Sequence, residues 1–415
     1  MAQLERGGKL SGEAPPQGPL LIAAAQAGVP VARVVAHGVG DPVLGAGWTV
    51  MERLAGSADP KLILAGEDAP DEAELLDQIA AALAAVHRMD AGAGAAPAID
   101  DPLALVRGMH ESLGEPHPTF ELAFRDLERE RPAVRDPSFV HGDFRMGNLL
   151  VDGNGLTGVL DWELAHLGDP VEDLGWLCVP AWRFQRPDRP AAGLGTRAQL
   201  LDAYERHSGV AVDSHDLAWW ELMGTLRWGV ICVMQAFVHL SGSTRSVEHA
   251  VIGRRACEVE WDLLAMLDER AGGARADPDT AGPATADDGP GPITLHDRPT
   301  AGELLAAVRA TLGEELLPAV EGRRAFELRV SMRALGMVAR ELELGDRHAR
   351  VREAALGALG AQDERALAAA IRAGDFDGRE AQVRTALRSL VRAKLEVANP
   401  RYLAQDPDPP SREER

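Results

Sequence analysis

Lysine is nearly absent from this chain: among 415 residues only Lys9, Lys61 and Lys394 carry an ε-ammonium, and every other permanent side-chain cation is an arginine. Against 64 Asp and Glu, the 43 Lys and Arg leave a formal net charge of −21, which argues against nucleic acid or an acidic membrane surface as a partner. Cysteine is scarce too. Cys178, Cys232 and Cys257 are far apart and odd in number, which excludes a disulfide framework and suits a reducing compartment. No long hydrophobic run is present: the apolar, uncharged stretch Trp228 to Val238 is about half a membrane span. The apolar segment Leu20 to Ala25 is broken by Gln26 and follows an acidic, proline-rich beginning unlike a signal peptide. A cytoplasmic protein is therefore expected. Its 46% hydrophobic and 26% charged residues are ordinary for a globular chain of two or three domains.

What is present concentrates in one stretch. Phe139-Val140-His141-Gly142-Asp143-Phe144-Arg145-Met146-Gly147-Asn148 is followed by Asp161-Trp162. Between Asn148 and Asp161 the residues Leu149-Leu150-Val151, Asp152-Gly153-Asn154-Gly155 and Leu156-Thr157-Gly158-Val159-Leu160 predict a β-hairpin, its turn built from residues that tolerate positive φ. Antiparallel strands of similar length bring their outer ends together. Asn148 and Asp161 are thus expected side by side, an amide oxygen and a carboxylate able to share a divalent cation, with Asp143 one loop turn away. Kinases space a catalytic-loop Asp, a metal-binding Asn and a second metal-binding Asp in this way.

With His-Gly-Asp in place of His-Arg-Asp and Asp-Trp-Glu in place of Asp-Phe-Gly, the chain resembles the aminoglycoside phosphotransferase and choline kinase-like family. The flanking text, including Gly147-Asn148-Leu149-Leu150-Val151 and Leu167-Gly168-Asp169-Pro170, is similar to phosphotransferase modules associated with acyl-CoA dehydrogenases. The resemblance implies an α+β, protein-kinase-like fold with a truncated N-lobe and a mostly helical C-lobe. It implies Mg²⁺ held by Asn148 and Asp161, and ATP or GTP as phosphoryl donor. Asp143 would be the catalytic carboxylate, with Arg145 and His141 beside it. His141 more naturally orients the loop than moves protons, and Arg145 either faces the γ-phosphate or sits in solvent. Met51, Glu52 and Leu54 fall on the hinge strand that binds the nucleobase. The acceptor would be a small-molecule hydroxyl, with a hydroxyacyl-CoA as candidate substrate and an acyl-CoA dehydrogenase as candidate partner.

Half of the expected nucleotide site is missing from the text. A kinase-like N-lobe uses a glycine-rich loop and a strand lysine paired to a helix glutamate. Here Gln17 takes the glutamate's place, Lys9 lies too close to the first helix, and Lys61 follows the hinge. The first three N-lobe strands are therefore expected to be absent, through either an upstream start codon or true loss. Two other functions follow as alternatives: a pseudokinase or scaffold that acts by binding, and a metal-dependent hydrolase.

Along the chain, residues 1–19 read as a disordered remnant and 20–270 as the phosphotransferase domain, with a helix at 20–27 and strands at 31–35 and 47–54. Residues 271–297, rich in Gly, Pro, Ala and Asp, read as a flexible linker. Residues 298–405 read as a separate all-α bundle, resembling a domain of unknown function, and 406–415 as a disordered tail. Thr300 to Glu303 and Asp377 to Glu380 predict capping boxes, and Phe326, Val330, Leu335, Val338 and Leu342 recur at helical spacing. Of the other polar residues, Glu163 reads as a second metal ligand or a backbone partner, Asp169 and Asp173 as helix caps, and His87 as packed. Trp176, Trp182, Trp219, Trp220 and Trp228 read mostly as core, with one or two lining an apolar acceptor cleft. Glu258 and Asp262 are the nearest approach to a cation-binding carboxylate cluster.

Overall fold

The computed structural model describes residues 2–5, 17–38, 47–65, 70–92, 96–272 and 299–404. Lys9, nearly all of the expected linker and the expected tail lie outside them. The chain divides into two compact units, Met1–Ala104 with Arg129–Thr225, and Leu105–Glu128 with Leu226–Arg415.

The first unit opens with a three-stranded antiparallel sheet, β1 (Ala2–Glu5), β2 (Val34–Gly38) and β3 (Gly47–Met51), in the order β1-β3-β2. On β3, Thr49 and Met51 are buried two residues apart, as strand alternation requires. Helix α1 (Gln17–Gln26) contacts β2 and β3 and buries Leu20, Leu21 and Ala24. Residues 1–19 are thus not wholly without structure: β1 pairs along β3 and α1 starts at Gln17. Four residues are too few to show a period, so β1 is set by its tertiary partner. The second strand starts three residues later than its text suggests, at Val34, and just before it the Pro30 carbonyl accepts from the Val159 amide at 2.7 Å.

Helices α2 (Pro60–Ala65) and α3 (Glu72–His87) follow. Asp71 caps α3 by accepting from the Glu74 amide at 2.9 Å, and the helix buries Leu75, Leu76, Ile79, Leu83 and Val86 along one stripe. After α4 (Pro102–Leu113) and α5 (Pro118–Arg129) come β4 (Ser138–Val140), the hairpin β5 (Leu149–Asp152) and β6 (Gly155–Val159), and β7 (His166–Gly168). Strand β4 pairs with β7, and β5 with β6. Helices α6 (Val171–Cys178) and α7 (Arg197–Ser208) follow, α7 packing on α3. The 27-residue α8 (Ser214–Leu240) is long and apolar enough to cross a membrane, but 56% of its most apolar window is buried within the protein.

The second unit contains α9 (Val247–Gly253), α10 (Ala256–Arg270), α11 (Ala301–Ala310), α12 (Gly322–Leu359), α13 (Glu364–Ala373), α14 (Glu380–Ala398) and α15 (Pro400–Leu403). The helices read as a domain apart thus form one compact unit with Leu105–Glu128 and α9–α10. The Thr300 capping box forms in both directions. The Asp377 box does not: Asp377 instead takes a two-oxygen bond from Arg125 Nη2 at 2.6 Å, and α14 starts without a side-chain cap. A charge-assisted bond to arginine outcompetes a backbone amide. The apolar spacing from Phe326 to Leu342 lies within the single 38-residue α12. Its period is helical, but Val330 faces the cluster of Val251, Met337 and Val397 while Phe326, Val338 and Leu342 are exposed.

Candidate active site

The loop after β4 is shaped by Gly142, whose φ is +80° and whose absent Cβ would lie 2.4 Å from the Leu164 carbonyl oxygen. Only glycine fits both conditions. The amides of His141 and Gly142 donate to the two oxygens of Asp173, at 2.8 and 2.9 Å. Asp173 is fully buried in α6 and also meets His87 Nε2 at 3.3 Å; His87 Nδ1 lies 2.7 Å from the Tyr204 hydroxyl. Burial pushes the Asp173 carboxyl up, but the bonds from His87 and the loop amide outweigh it and hold the group below its ordinary range.

His141 is also fully buried. Its Nε2 donates to the Leu160 carbonyl at 3.0 Å and its Nδ1 accepts from the Asp143 amide at 3.2 Å. Those partners fix the tautomer, and burial holds the ring below its ordinary pKa, so it is neutral. Neither nitrogen is left for a substrate. The ring ties the Asp143 loop to the end of β6.

Asp143 Oδ1 accepts from Trp176 Nε1 at 2.8 Å and Arg145 Nε at 3.0 Å, while Oδ2 accepts from Asn148 Nδ2 at 2.6 Å. Arg145 is therefore turned onto Asp143, and its guanidinium also lies 4.7 Å from the Trp182 ring centre. Asn148 Nδ2 donates to the Asp143 carbonyl as well, at 3.0 Å, so the amide oxygen points away from these acceptors.

The hairpin does what its spacing predicts. Leu149 pairs with Val159, and the Leu160 amide donates to the Asn148 carbonyl at 2.8 Å, which puts Asp161 next to Asn148. Its turn has Gly155 at φ +112°, where a Cβ would collide with Gln78. Asp161 itself has φ +63°, a conformation Asp tolerates better than most residues. Its carboxylate accepts no hydrogen bond from the described residues, and desolvation followed by the charge of Asp143 pushes its pKa up. Glu163 is raised likewise, by burial and then by Asp161 and Asp143. This is uncompensated negative charge beside an unbonded amide oxygen, a donor set suited to Mg²⁺. No group of three His, Cys, Asp or Glu that could enclose a metal occurs among the described residues. A cation here would take two protein ligands and complete its shell from phosphate and water.

On the hinge, Met51 ends β3 and is buried, and Leu54 packs against the core. The Glu52 amide donates to the Arg33 carbonyl at 3.0 Å, and its carboxylate pairs with the Arg33 guanidinium, so that amide is already spent within the protein. Ser57 and Val151 exchange backbone bonds of 2.8 and 3.0 Å, and Thr157 Oγ1 donates to the Ala55 carbonyl at 2.7 Å. These bonds anchor the hinge to the hairpin that carries Asn148 and Asp161.

Glu258 and Asp262 are not available as an acceptor cluster: Glu258 accepts from Arg255 and Asn399, and Asp262 from Tyr402. Trp219 and Trp220 are core residues. Sequence reasoning missed the bond from Trp176 to Asp143 and the grip of Asp173 on the loop. A signal existed: Asp173 stands in Val-Glu-Asp-Leu-Gly-Trp-Leu-Cys, where a carboxylate in a buried helix needs donors, and Trp176 follows three residues later on the same face.

The Phosphotransferase enzyme family matches residues 2–210, and a Domain of unknown function (DUF6285) matches residues 318–402. Among solved structures, a Ralstonia eutropha protein assigned to the aminoglycoside phosphotransferases is 23% identical, with a TM-score of 0.50, over 60% of this chain and 82% of that one. The macrolide 2′-phosphotransferase of Brachybacterium faecium is 19% identical, covering 58% and 78%, with a TM-score of 0.42. Mouse (Mus musculus) acyl-CoA dehydrogenase family member 10 is 38% identical over 64 residues, 15% of this chain and only 6% of that protein. The first of these structures speaks for a kinase-like fold. The family match spans half the chain and takes in the whole loop, hairpin and α6 assembly around Asp143, and by it the chain belongs to the phosphotransferase enzyme family.

Proposed function

We propose that the protein transfers the γ-phosphoryl of ATP or GTP to a hydroxyl of a small molecule, with a hydroxyacyl-CoA as the favoured acceptor. One observation carries this reading: Asp143 is held by Trp176, Arg145 and Asn148, while Asn148 keeps its amide oxygen unbonded beside Asp161. Asp143 Oδ1 already has two donors, so an acceptor hydroxyl would be oriented by the remaining capacity of Oδ2. Mg²⁺ bound by Asn148 and Asp161 would supply the positive charge that a triphosphate requires. Arg145 would turn from Asp143 toward a phosphate oxygen, a role its forked guanidinium suits. Met51 and Leu54 would border the nucleobase.

Support for an acyl acceptor comes from the indoles of Trp176 and Trp182, near Asp143 and Arg145, and from Glu258 and Asp262 being engaged elsewhere. The short stretch shared with the mouse protein points the same way, and an acyl-CoA dehydrogenase is the partner this reading favours. Incubation with Mg-ATP or Mg-GTP and a panel of hydroxyacyl-CoAs, choline and aminoglycosides should give phosphorylated product from a hydroxyacyl-CoA. Turnover of an aminoglycoside alone would overturn the acceptor, and turnover of nothing would overturn the reaction.

A scaffold reading is favoured by one fact, that β1, β2 and β3 contain no lysine. It predicts no Mg-dependent nucleotide binding, measured by calorimetry with wild type and Asp161→Asn. The phosphotransferase reading predicts binding that the substitution weakens at least tenfold.

A further inference from the structure

A face of buried carboxylates in the second unit meets a basic face contributed almost entirely by residues 372–402. Glu260 on α10 has a side chain 2% exposed and takes both its bonds from Lys394 Nζ on α14, at 2.7 and 3.0 Å. Asp268 receives Arg384 Nε at 2.5 Å and is bonded by Arg388, which is itself 1% exposed. Glu121 on α5, 1% exposed, is bonded by Arg372 on α13, with Nε at 3.1 Å, and also by Arg107 on α4, with Nη1 at 3.1 Å. Tyr402 donates to Asp262 at 2.8 Å. Pairs of the opposite polarity, such as Arg125–Asp377 and Arg254–Glu341, lie on the rim, where the carboxylates are 54% and 55% exposed.

A buried carboxylate that loses its partner is left desolvated and uncompensated, which is strongly unfavourable. While the interface is closed, the carboxylates of α5 and α10 are therefore matched by cations pair by pair. Burial pushes the Lys394 ammonium down, but Glu260 more than offsets this and carries it above its ordinary value.

We propose that the DUF6285 region is a basic clamp whose binding site is the carboxylate face of α5 and α10, and that it stays bound when the connection between residues 272 and 299 is cut. The clamp makes these helices a subunit-like part of the molecule, recognising an acidic helical surface rather than a small molecule. Its chemistry is that of a charge-complementary protein interface, with buried pairs setting specificity and register.

The test uses the full chain with a protease recognition sequence placed between residues 273 and 298. After complete cleavage, the two pieces should elute together in size-exclusion chromatography at 0.15 M salt. Separation of the pieces would overturn the proposal. Independently, uncut Glu260→Gln and Lys394→Met should each lower the melting temperature by more than about 5 °C, and the double variant should lose clearly less than their sum. Additive losses, or single losses below about 1 °C, would equally overturn it. Arg323→Ala, removing an exposed partner of Glu248 and Glu327, is the control and should change little.

Discussion

Asp143 gives most of its hydrogen-bonding capacity to protein donors, so its orientation rather than its mere presence is what the surrounding residues secure. On the proposed reaction, Asp143→Asn should lower kcat by about 10²–10⁴-fold with nucleotide affinity unchanged in calorimetry, because it would remove the acceptor of the substrate proton but little volume. Trp176→Phe keeps an aromatic ring in α6 and deletes only the indole donor. The expected result is a fall in kcat of about tenfold with KM nearly constant, the size of one net hydrogen bond. A raised KM with unchanged kcat would instead mean that the indole contacts the acceptor. Much of this was legible as text, since Asp143, Asn148 and Asp161 declare themselves by interval. Trp176 did not, because its partnership depends on how α6 is placed against the loop. Nor did the engagement of the Glu52 amide, which is decided by the neighbouring chain at Arg33.

Among the elements, α6 links burial to the candidate site. Its Asp173 accepts two loop amides and faces His87. Asp173→Asn puts an amide group where donors already point and should destabilise the protein by about 3–5 kcal/mol, read from denaturant midpoints. The acid response has a definite sign. The folded carboxyl titrates below its ordinary 3.8, so its stabilisation is complete at neutral pH and is lost as pH falls below that value. Elements also show where periodicity misleads. The 38-residue α12 has the helical period that its text predicts, yet the apolar residues on that period divide between a packed side and an exposed one. Period identifies a helix, but which arc is covered depends on partners supplied by α9 and α14.

For the molecule as a whole, the acidic balance conceals a local polarity, with cations gathered where carboxylates are buried. His110, at that junction, is 3% exposed, with Nε2 3.4 Å from His117 and no hydrogen bond at Nδ1. Burial, then His117, lowers its pKa from 6.5 to about 4. Because the unfolded chain takes up the proton first, stability should be full above pH 6.5 and fall by about 3 kcal/mol down to pH 4. His110→Gln should flatten that part of the pH profile of chemical denaturation. The kinase-like frame was legible because a motif and a hairpin are local. The union of α5, α10 and the C-terminal helices was not, because ion pairs such as Arg372 with Glu121 join residues that no interval relates.

The indole of Trp176 is bonded to Asp143, and that of Trp182 lies against Arg145 and 5.5 Å from Trp176. Any molecule that draws Arg145 aside or engages Asp143 therefore changes the surroundings of a native fluorophore. Emission from these two rings makes occupancy of the site visible in real time without a label, and stopped-flow fluorescence can time the arrival of donor and acceptor separately.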